Sequence, residues 1–209
     1  MDSRSGIAAI ILAGGRSTRL GRDKASEVLL GRPMLQHVID RVQALVAEIV
    51  VVRAREQLLP DVASAAPLRV AEDDFESRGP LGGIYSGLMA TAADRSLVVA
   101  CDMPLLSRPL LEEMVRRSAG CDVVMPVLAY PEPLHAVYSR DCIAPIRERI
   151  EAGQLKITNF LGAVGVCYVR EEECRALDPD LRSFTNTNTQ ADLDRARKLL
   201  EEERDAASA

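Results

Sequence analysis

Hydrophobic positions along this chain fall into two alternating patterns. Ile7–Leu12, Ile49–Val52, Leu97–Ala100 and Val123–Val127 are apolar at successive positions, and Leu68–Val70 is a shorter apolar run broken by Arg69. Runs of that kind predict strands covered on both faces. Between the first two, Leu35, Val38, Ile39, Val42, Leu45 and Val46 recur at helical spacing, with Gln36, Asp40, Arg41 and Gln43 opposite. Leu81–Ala93 is a second helical segment. Ser107 and Pro109 open a third as N-cap and first-turn proline, with Leu110, Leu111, Met114 and Val115 inward and Gly120 as its stop. Strand and helix in alternation predict an α/β fold: a doubly wound, mostly parallel sheet with helices on both faces.

Beyond Met125-Pro126 the rhythm changes. Pro131 and Pro133 bracket a turn, Leu134–Tyr138 alternates like an edge strand, and Ser139 is placed to cap a helix carrying Ile143, Ile146 and Ile150. Gly162–Val169 reads as one more strand. Thr189 opens the last helix with Asp192 at its N3 position, a variant of the capping box. Leu193, Ala196, Leu199 and Leu200 form its apolar stripe. The expected core spans 7–195, and the charged, Ala- and Ser-rich stretch 201–209 is expected to fray. No repeat or linker divides the chain, so 1–209 is expected to be a single domain.

Composition narrows the functions open to such a fold. With 209 residues, 47% of them hydrophobic, the chain is long enough to bury a core without disulfide or metal staples. Lys and Arg number 26 against 31 Asp and Glu, a net charge of −5 that argues against nucleic-acid and membrane-surface partners. Tryptophan is absent and other aromatics are few, which leaves little platform for base stacking. No apolar run approaches the roughly 18 residues of a membrane span. The short polar stretch before Ile7 leaves no room for a signal peptide, so a cytoplasmic location is expected. Five cysteines without a C-x-x-C pair fit reduced thiols, with Cys101 as a small core residue. Two histidines argue against a His-based zinc site. His37 is expected to be solvated, and His135 to be structural.

The strongest chemical signal follows the first strand: Leu12-Ala13-Gly14-Gly15-Arg16-Ser17-Thr18-Arg19-Leu20-Gly21-Arg22-Asp23-Lys24. Ligands of open α/β sheets bind outside the carboxyl ends of the strands, where this segment begins. Glycines bring backbone N–H groups close to an anion, and four cations against Asp23 give a local charge of +3. The spacing is neither that of a Walker A loop nor that of a dinucleotide-binding loop. An exposed glycine-rich turn with solvated arginines has the same composition. Asp102, in Cys101-Asp102-Met103-Pro104, follows the fourth strand on the same sheet edge, on a strand-end loop because Pro104 pushes Met103 towards extended geometry. A carboxylate there suits Mg²⁺ completed by phosphate oxygens, or a plain turn. Glu72-Asp73-Asp74 ends the third strand, and Gly79-Pro80-Leu81-Gly82-Gly83 opens a helix that a flat or anionic group can approach. Asn186 and Asn188, before the last helix, lie two apart and turn to one side of an extended backbone.

In this order, from Leu12 to Leu193, these segments resemble the molybdenum-cofactor guanylyltransferases, nucleotidyltransferases with a Rossmann-like α/β fold. The resemblance implies transfer of GMP from GTP to the phosphate of the molybdopterin cofactor, with release of pyrophosphate and dependence on Mg²⁺. It implies that Leu12, Ala13, Gly14, Gly15, Lys24, Asp73, Gly79, Pro80, Leu81 and Asp102 form the nucleotide site. Arg19, Lys24 and Asp102 are the expected catalytic residues, Asp102 the metal ligand, and Asn186 and Asn188 the acceptor contacts. Apo-molybdoenzymes or cofactor chaperones are implied as further partners. Two departures stand out: Arg53 occupies a position where the family often has Asn, and Gln190 replaces the usual proline. Two alternatives stay open: a cytidylyltransferase using CTP on the same acceptor, and a non-catalytic nucleotide- or cofactor-binding adaptor. Gly14 and Gly15 favour guanine over the Leu-Ala-Ala-Gly of the cytidylyl branch.

Overall fold

Strand β1 (Ile7–Leu12) is buried along its whole length because it lies between two parallel neighbours. Those are β4 (Glu48–Arg53) and β6 (Arg95–Ala100), paired so that Leu12 sits level with both Val52 and Ala100. The computed structural model describes residues 6–14, 23–75 and 79–207. A two-residue hairpin, β2 (Val28–Leu29) and β3 (Arg32–Pro33), stands apart from the main sheet. The remaining strands are β5 (Leu68–Glu72), β7 (Val123–Val127), β8 (His135–Ser139) and β9 (Val166–Arg170). The seven-stranded sheet has the order β5-β4-β1-β6-β8-β7-β9, parallel except for the two pairings of β8.

Helices α1 (Met34–Val42), α3 (Arg108–Arg117) and α5 (Glu171–Leu177) cover one face, and α2 (Gly79–Ala90) and α4 (Ile143–Glu151) cover the other. Alternate residues of β1 serve the two cores: Ala9 and Ile11 pack towards α1 and α3, Ile10 and Leu12 towards α2. A third cluster joins α6 (Gln190–Ala207) to the hairpin through Leu29, Met34, Leu105, Leu193 and Leu200. This is the doubly wound, mostly parallel arrangement the alternation called for. The chain runs outward from β1 through β4 to β5 and then crosses to β6. The sheet therefore has its topological switch point between β1 and β6.

Several local expectations are corrected. Leu134–Tyr138 is not an edge strand: β8 lies between β6 and β7 and every residue is buried. Its period-two pattern reflects two different cores, Val137 in one and Ala136 and Tyr138 in the other, and Tyr138 Oη satisfies itself on the Pro133 carbonyl at 2.7 Å. Conversely, β5 is an edge strand with Val70 half-exposed, so that run is not covered on both faces. The last strand begins at Val166, because Ile157–Ala163 winds into 3₁₀ turns. Ser107 makes no side-chain cap; its hydroxyl donates to Leu177 O at 3.1 Å. His37 is buried, its Nε2 2.9 Å from Leu29 O, because the hairpin covers that side of α1. Cys121 and Cys167 form a disulfide between the starts of β7 and β9, on the sheet edge opposite the carboxyl ends of β1, β4 and β6, whereas all thiols were expected to be reduced. The stretch from Glu201, expected to fray, continues α6 to Ala207, with Glu203 paired to Arg41 and Glu202 to Arg182. The reciprocal cap between Thr189 and Asp192 forms as expected. No helix among the described residues is long and apolar enough to cross a membrane.

Candidate active site

A cleft of about 610 Å³ opens where β1, β4 and β6 end. Its floor is the carboxyl end of β1, held in place by Ala13 N and Gly14 N, which both donate to Val52 O at 2.8 and 3.1 Å. A Cβ added at Gly14 would sit 3.1 Å from Ala54 N, so a larger residue there would push the two strand ends apart by a few tenths of an ångström. Opposite stands the first turn of α2, with Gly79, Pro80 and Gly83 in the wall. Gly79 has φ +62°, a conformation that suits glycine at this turn into the helix. A Cβ at Gly83 would meet Leu12 Cδ2 at 3.3 Å, and at Gly82 it would meet Phe75 Cβ at 2.7 Å. The Gly82-Gly83 pair thus lets α2 lie directly on β1 and on the turn that carries Asp73.

The charged end of the cleft gathers residues from three distant parts of the chain. Lys24 begins a single 3₁₀ turn, Lys24–Ser26, capped by Asp23, whose Oδ1 accepts from Ala25 N at 3.0 Å. The Lys24 ammonium donates to Asp102 Oδ2 at 2.7 Å and to Asn188 Oδ1 at 2.5 Å. Both members of the ion pair are largely sheltered, with side chains 18% and 14% exposed. Asp102 is held by its backbone: its carbonyl accepts from Thr187 N and Thr187 Oγ1, each at 3.1 Å. Among the described residues nothing bonds Asp102 Oδ1. No cluster of three or more His, Cys, Asp or Glu side chains gathers among the described residues. One available carboxylate oxygen without a full protein cage fits a hard divalent cation that takes its other ligands from phosphate and water.

Asp73 lines the cleft from the β5 end, where its Oδ1 accepts from Phe75 N at 2.9 Å and Ser86 Oγ at 3.2 Å. Cys101 is buried beside Asp102, and burial together with that carboxylate pushes its thiol far above the usual range, leaving it inert. His135 is fully buried and stacks on Phe184, with centroids 4.9 Å apart.

Leu12, Ala13, Gly14, Lys24, Asp73, Gly79, Pro80 and Asp102 thus share one cleft. Gly15 and Arg19 lie outside the described residues. Leu81 departs from the expectation: its side chain is fully buried in the core beneath α2, leaving only its backbone to serve a ligand. Asn186 and Asn188 flank the buried Thr187, as the two-residue spacing requires, but only Asn188 reaches Lys24, while Asn186 is exposed. Arg53 is committed elsewhere, donating to Gln57 O at 2.5 Å and Glu72 Oε1 at 3.0 Å. Two polar residues escaped the sequence reading. Thr187, buried in the structure, stands between two asparagines in a run whose composition reads only as a turn. Gln57 sits in a polar loop that offers no signal at all.

Residues 9–164 match a family described as "MobA-like NTP transferase domain". The chain belongs to the MobA-like NTP transferase family. It is 38% identical to the "Probable molybdenum cofactor guanylyltransferase" of Pelotomaculum thermopropionicum, over 93% of this chain and 94% of that relative. It is 36% identical to the "Molybdenum cofactor guanylyltransferase" of Desulfosudis oleivorans, over 96% and 97%. Among solved structures, "Molybdopterin-guanine dinucleotide biosynthesis protein A" from Archaeoglobus fulgidus superposes with a TM-score of 0.77 at 28% identity, covering 93% of this chain and 99% of that one. The cleft of this MobA-like chain contains its described glycine, lysine and aspartate site candidates in a single constellation.

Proposed function

We propose that this chain is a molybdenum-cofactor guanylyltransferase: it joins GMP from GTP to the terminal phosphate of molybdopterin and releases pyrophosphate. The observation that carries the reading is the Lys24 ammonium, 2.7 Å from Asp102 and 2.5 Å from Asn188. It lies in a cleft walled by glycines, in a chain of this family. The glycine-walled end between Gly14 and Gly83 accommodates a flat base between backbone surfaces. Leu12, Ala13 and Pro80 line the same end. This reading assigns Gly15 and Arg19, which follow Gly14 in the sequence, to the phosphates.

In the reaction, the acceptor phosphate attacks the α-phosphorus, and pyrophosphate leaves in line. The protein's task is to position two anions and neutralise charge as the bond to pyrophosphate breaks. Lys24 holds a positive charge at a fixed point between the two halves of the cleft and stabilises the charge developing on the α-phosphate. Asp102 and Asn188 keep that ammonium from swinging to solvent. Asp102 is the residue that would hold Mg²⁺, which when bound neutralises phosphate charge and polarises the bond being broken. Asn186, exposed two residues before Asn188, contacts the incoming acceptor. Such chemistry draws on cellular GTP and places the chain in the cytoplasm, with molybdoenzyme apo-proteins or cofactor carriers downstream.

A screen of the four nucleoside triphosphates for Mg²⁺-dependent binding and acceptor-dependent pyrophosphate release tests this reading. GTP is expected to bind at least about tenfold tighter than CTP or ATP, ~1.4 kcal/mol. A preference for CTP moves the protein to the cytidylyl branch. Nucleotide binding without pyrophosphate release makes it an adaptor.

A further inference from the structure

The carboxamide of Gln57 occupies a junction beneath the cleft. Its Nε2 donates to Ala13 O at 3.0 Å and to both oxygens of Asp23 at 3.0 Å, while its Oε1 accepts from Ala54 N at 3.0 Å. One side chain therefore ties the end of β1, the turn after β4 and the cap of the 3₁₀ turn that begins with Lys24. The Gln57 backbone adds a further link, because its carbonyl accepts from Arg53 at 2.5 Å. Ala13 and Ala54 line the cleft, as do the cationic residues Lys24 and Arg55.

We propose that Gln57 is a positioning residue for the reaction: through Asp23 it sets where the Lys24 ammonium stands, and through Ala13 and Ala54 it sets the floor that faces the nucleotide. This rests on the nucleotidyl-transfer reading. An amide suits this place because it must donate to a carboxylate and a carbonyl and accept from an N–H at once. Leucine fills the same volume but leaves the Asp23 carboxylate, Ala13 O and Ala54 N without this partner. Glutamate keeps the acceptor for Ala54 N but brings a second carboxylate against Asp23. Two such groups at hydrogen-bonding distance hold one shared proton more tightly than either would alone.

The test uses the full chain with the substitutions Gln57→Leu, Gln57→Glu, Asp23→Asn and Gln57→Glu with Asp23→Asn. Steady-state pyrophosphate release gives kcat and KM for GTP between pH 5 and 8, and thermal unfolding is followed over the same range. Gln57→Leu is expected to lower kcat about tenfold while KM for GTP moves less than about threefold, because Lys24 acts mainly on the transition state. Gln57→Glu is expected to lose both activity and thermal stability, relative to the unaltered chain, as pH rises and both carboxylates ionise. Adding Asp23→Asn, which still caps the turn, restores a donor facing a carboxylate and flattens both pH profiles. Wild-type kcat in Gln57→Leu, or a Gln57→Glu profile parallel to that of the unaltered chain, overturns the proposal. The unfolding profiles need no nucleotide. If the unaltered chain fails to use GTP, the functional reading falls while the Gln57–Asp23 contact is still judged.

Discussion

The ammonium of Lys24 is shared between the Asp102 carboxylate and the Asn188 side-chain carbonyl, partners 78 and 164 positions away in the chain. Three elements meet at that one nitrogen: the 3₁₀ turn that begins at Lys24, the end of β6 and the segment leading into α6. Asn188 and Lys24, far apart in the sequence, therefore belong to one constellation, while Asn186 stands exposed beside it.

Removing either charge of the ion pair should slow transfer strongly without unfolding the chain. Asp102→Asn and Lys24→Met are each expected to lower turnover by about two to three decades, since losing one preorganised electrostatic group costs roughly 3–4 kcal/mol of barrier. Single-turnover transfer and circular dichroism on both variants check this. Near-normal turnover of Asp102→Asn with unchanged Mg²⁺ dependence removes Asp102 from the chemistry.

The two asparagines should separate kinetically. Asn188→Ala frees the Lys24 ammonium from one of its two partners and is expected to lower kcat about tenfold, the loss of one hydrogen bond to a charged group. Asn186→Ala, at an exposed position, is expected to raise KM for the acceptor while GTP affinity stays within about twofold. Calorimetry with GTP and acceptor titrations at saturating GTP distinguish the two. Equal effects from both variants mean that the asparagines act as a pair on one ligand.

Gly87→Ala tests how α2 is seated. A Cβ there would lie 2.4 Å from Ile10 Cγ2 and 3.2 Å from Val52 Cγ2, so either the Ile10 side chain or the helix must shift. Alanine gains about 1 kcal/mol of helix propensity, yet net destabilisation of about 1–3 kcal/mol is expected from overpacking. Thermal unfolding reads this as roughly 2–4 °C per kcal/mol in a chain of this size. An unchanged or higher midpoint contradicts the close packing.

His135 should make the fold sensitive to acid. Neither ring nitrogen has a partner among the described residues, and burial holds its pKa down at about 3. The unfolded chain, with an ordinary imidazole near 6.5, therefore binds more protons than the folded one over that window. Stability is fully present above about pH 6.5 and is lost as pH falls towards 3. Between pH 7 and pH 5 this group contributes a loss of about 2 kcal/mol, which His135→Leu should remove. Urea unfolding of both proteins at the two pH values measures the difference, and equal losses in both would show that the imidazole titrates normally.

What the sequence determined by itself is local. Ile7–Leu12 is apolar at every position and ends in Ala13-Gly14, so a buried strand running into an open backbone follows from neighbours alone. The strand-ending Asp102 ahead of Met103-Pro104 is legible for the same reason, as is the Thr189–Asp192 cap. The tertiary structure decided what lies beside what. Leu134–Tyr138 carries an edge-strand pattern, yet it is buried between β6 and β7, because strand order depends on crossovers that periodicity does not encode. Leu81 sits within a glycine-rich motif but turns into the core, since α2 lies flat on β1 and only one side of its first turn faces the cleft. Gln57 has no pattern of its own; its meaning comes from Ala13, Asp23 and Ala54 converging on one amide. Hydrogen bonds across such separations form only after the sheet has brought the strand ends to one level. Residue spacing therefore places groups on a sheet edge, and packing alone selects which of them touch.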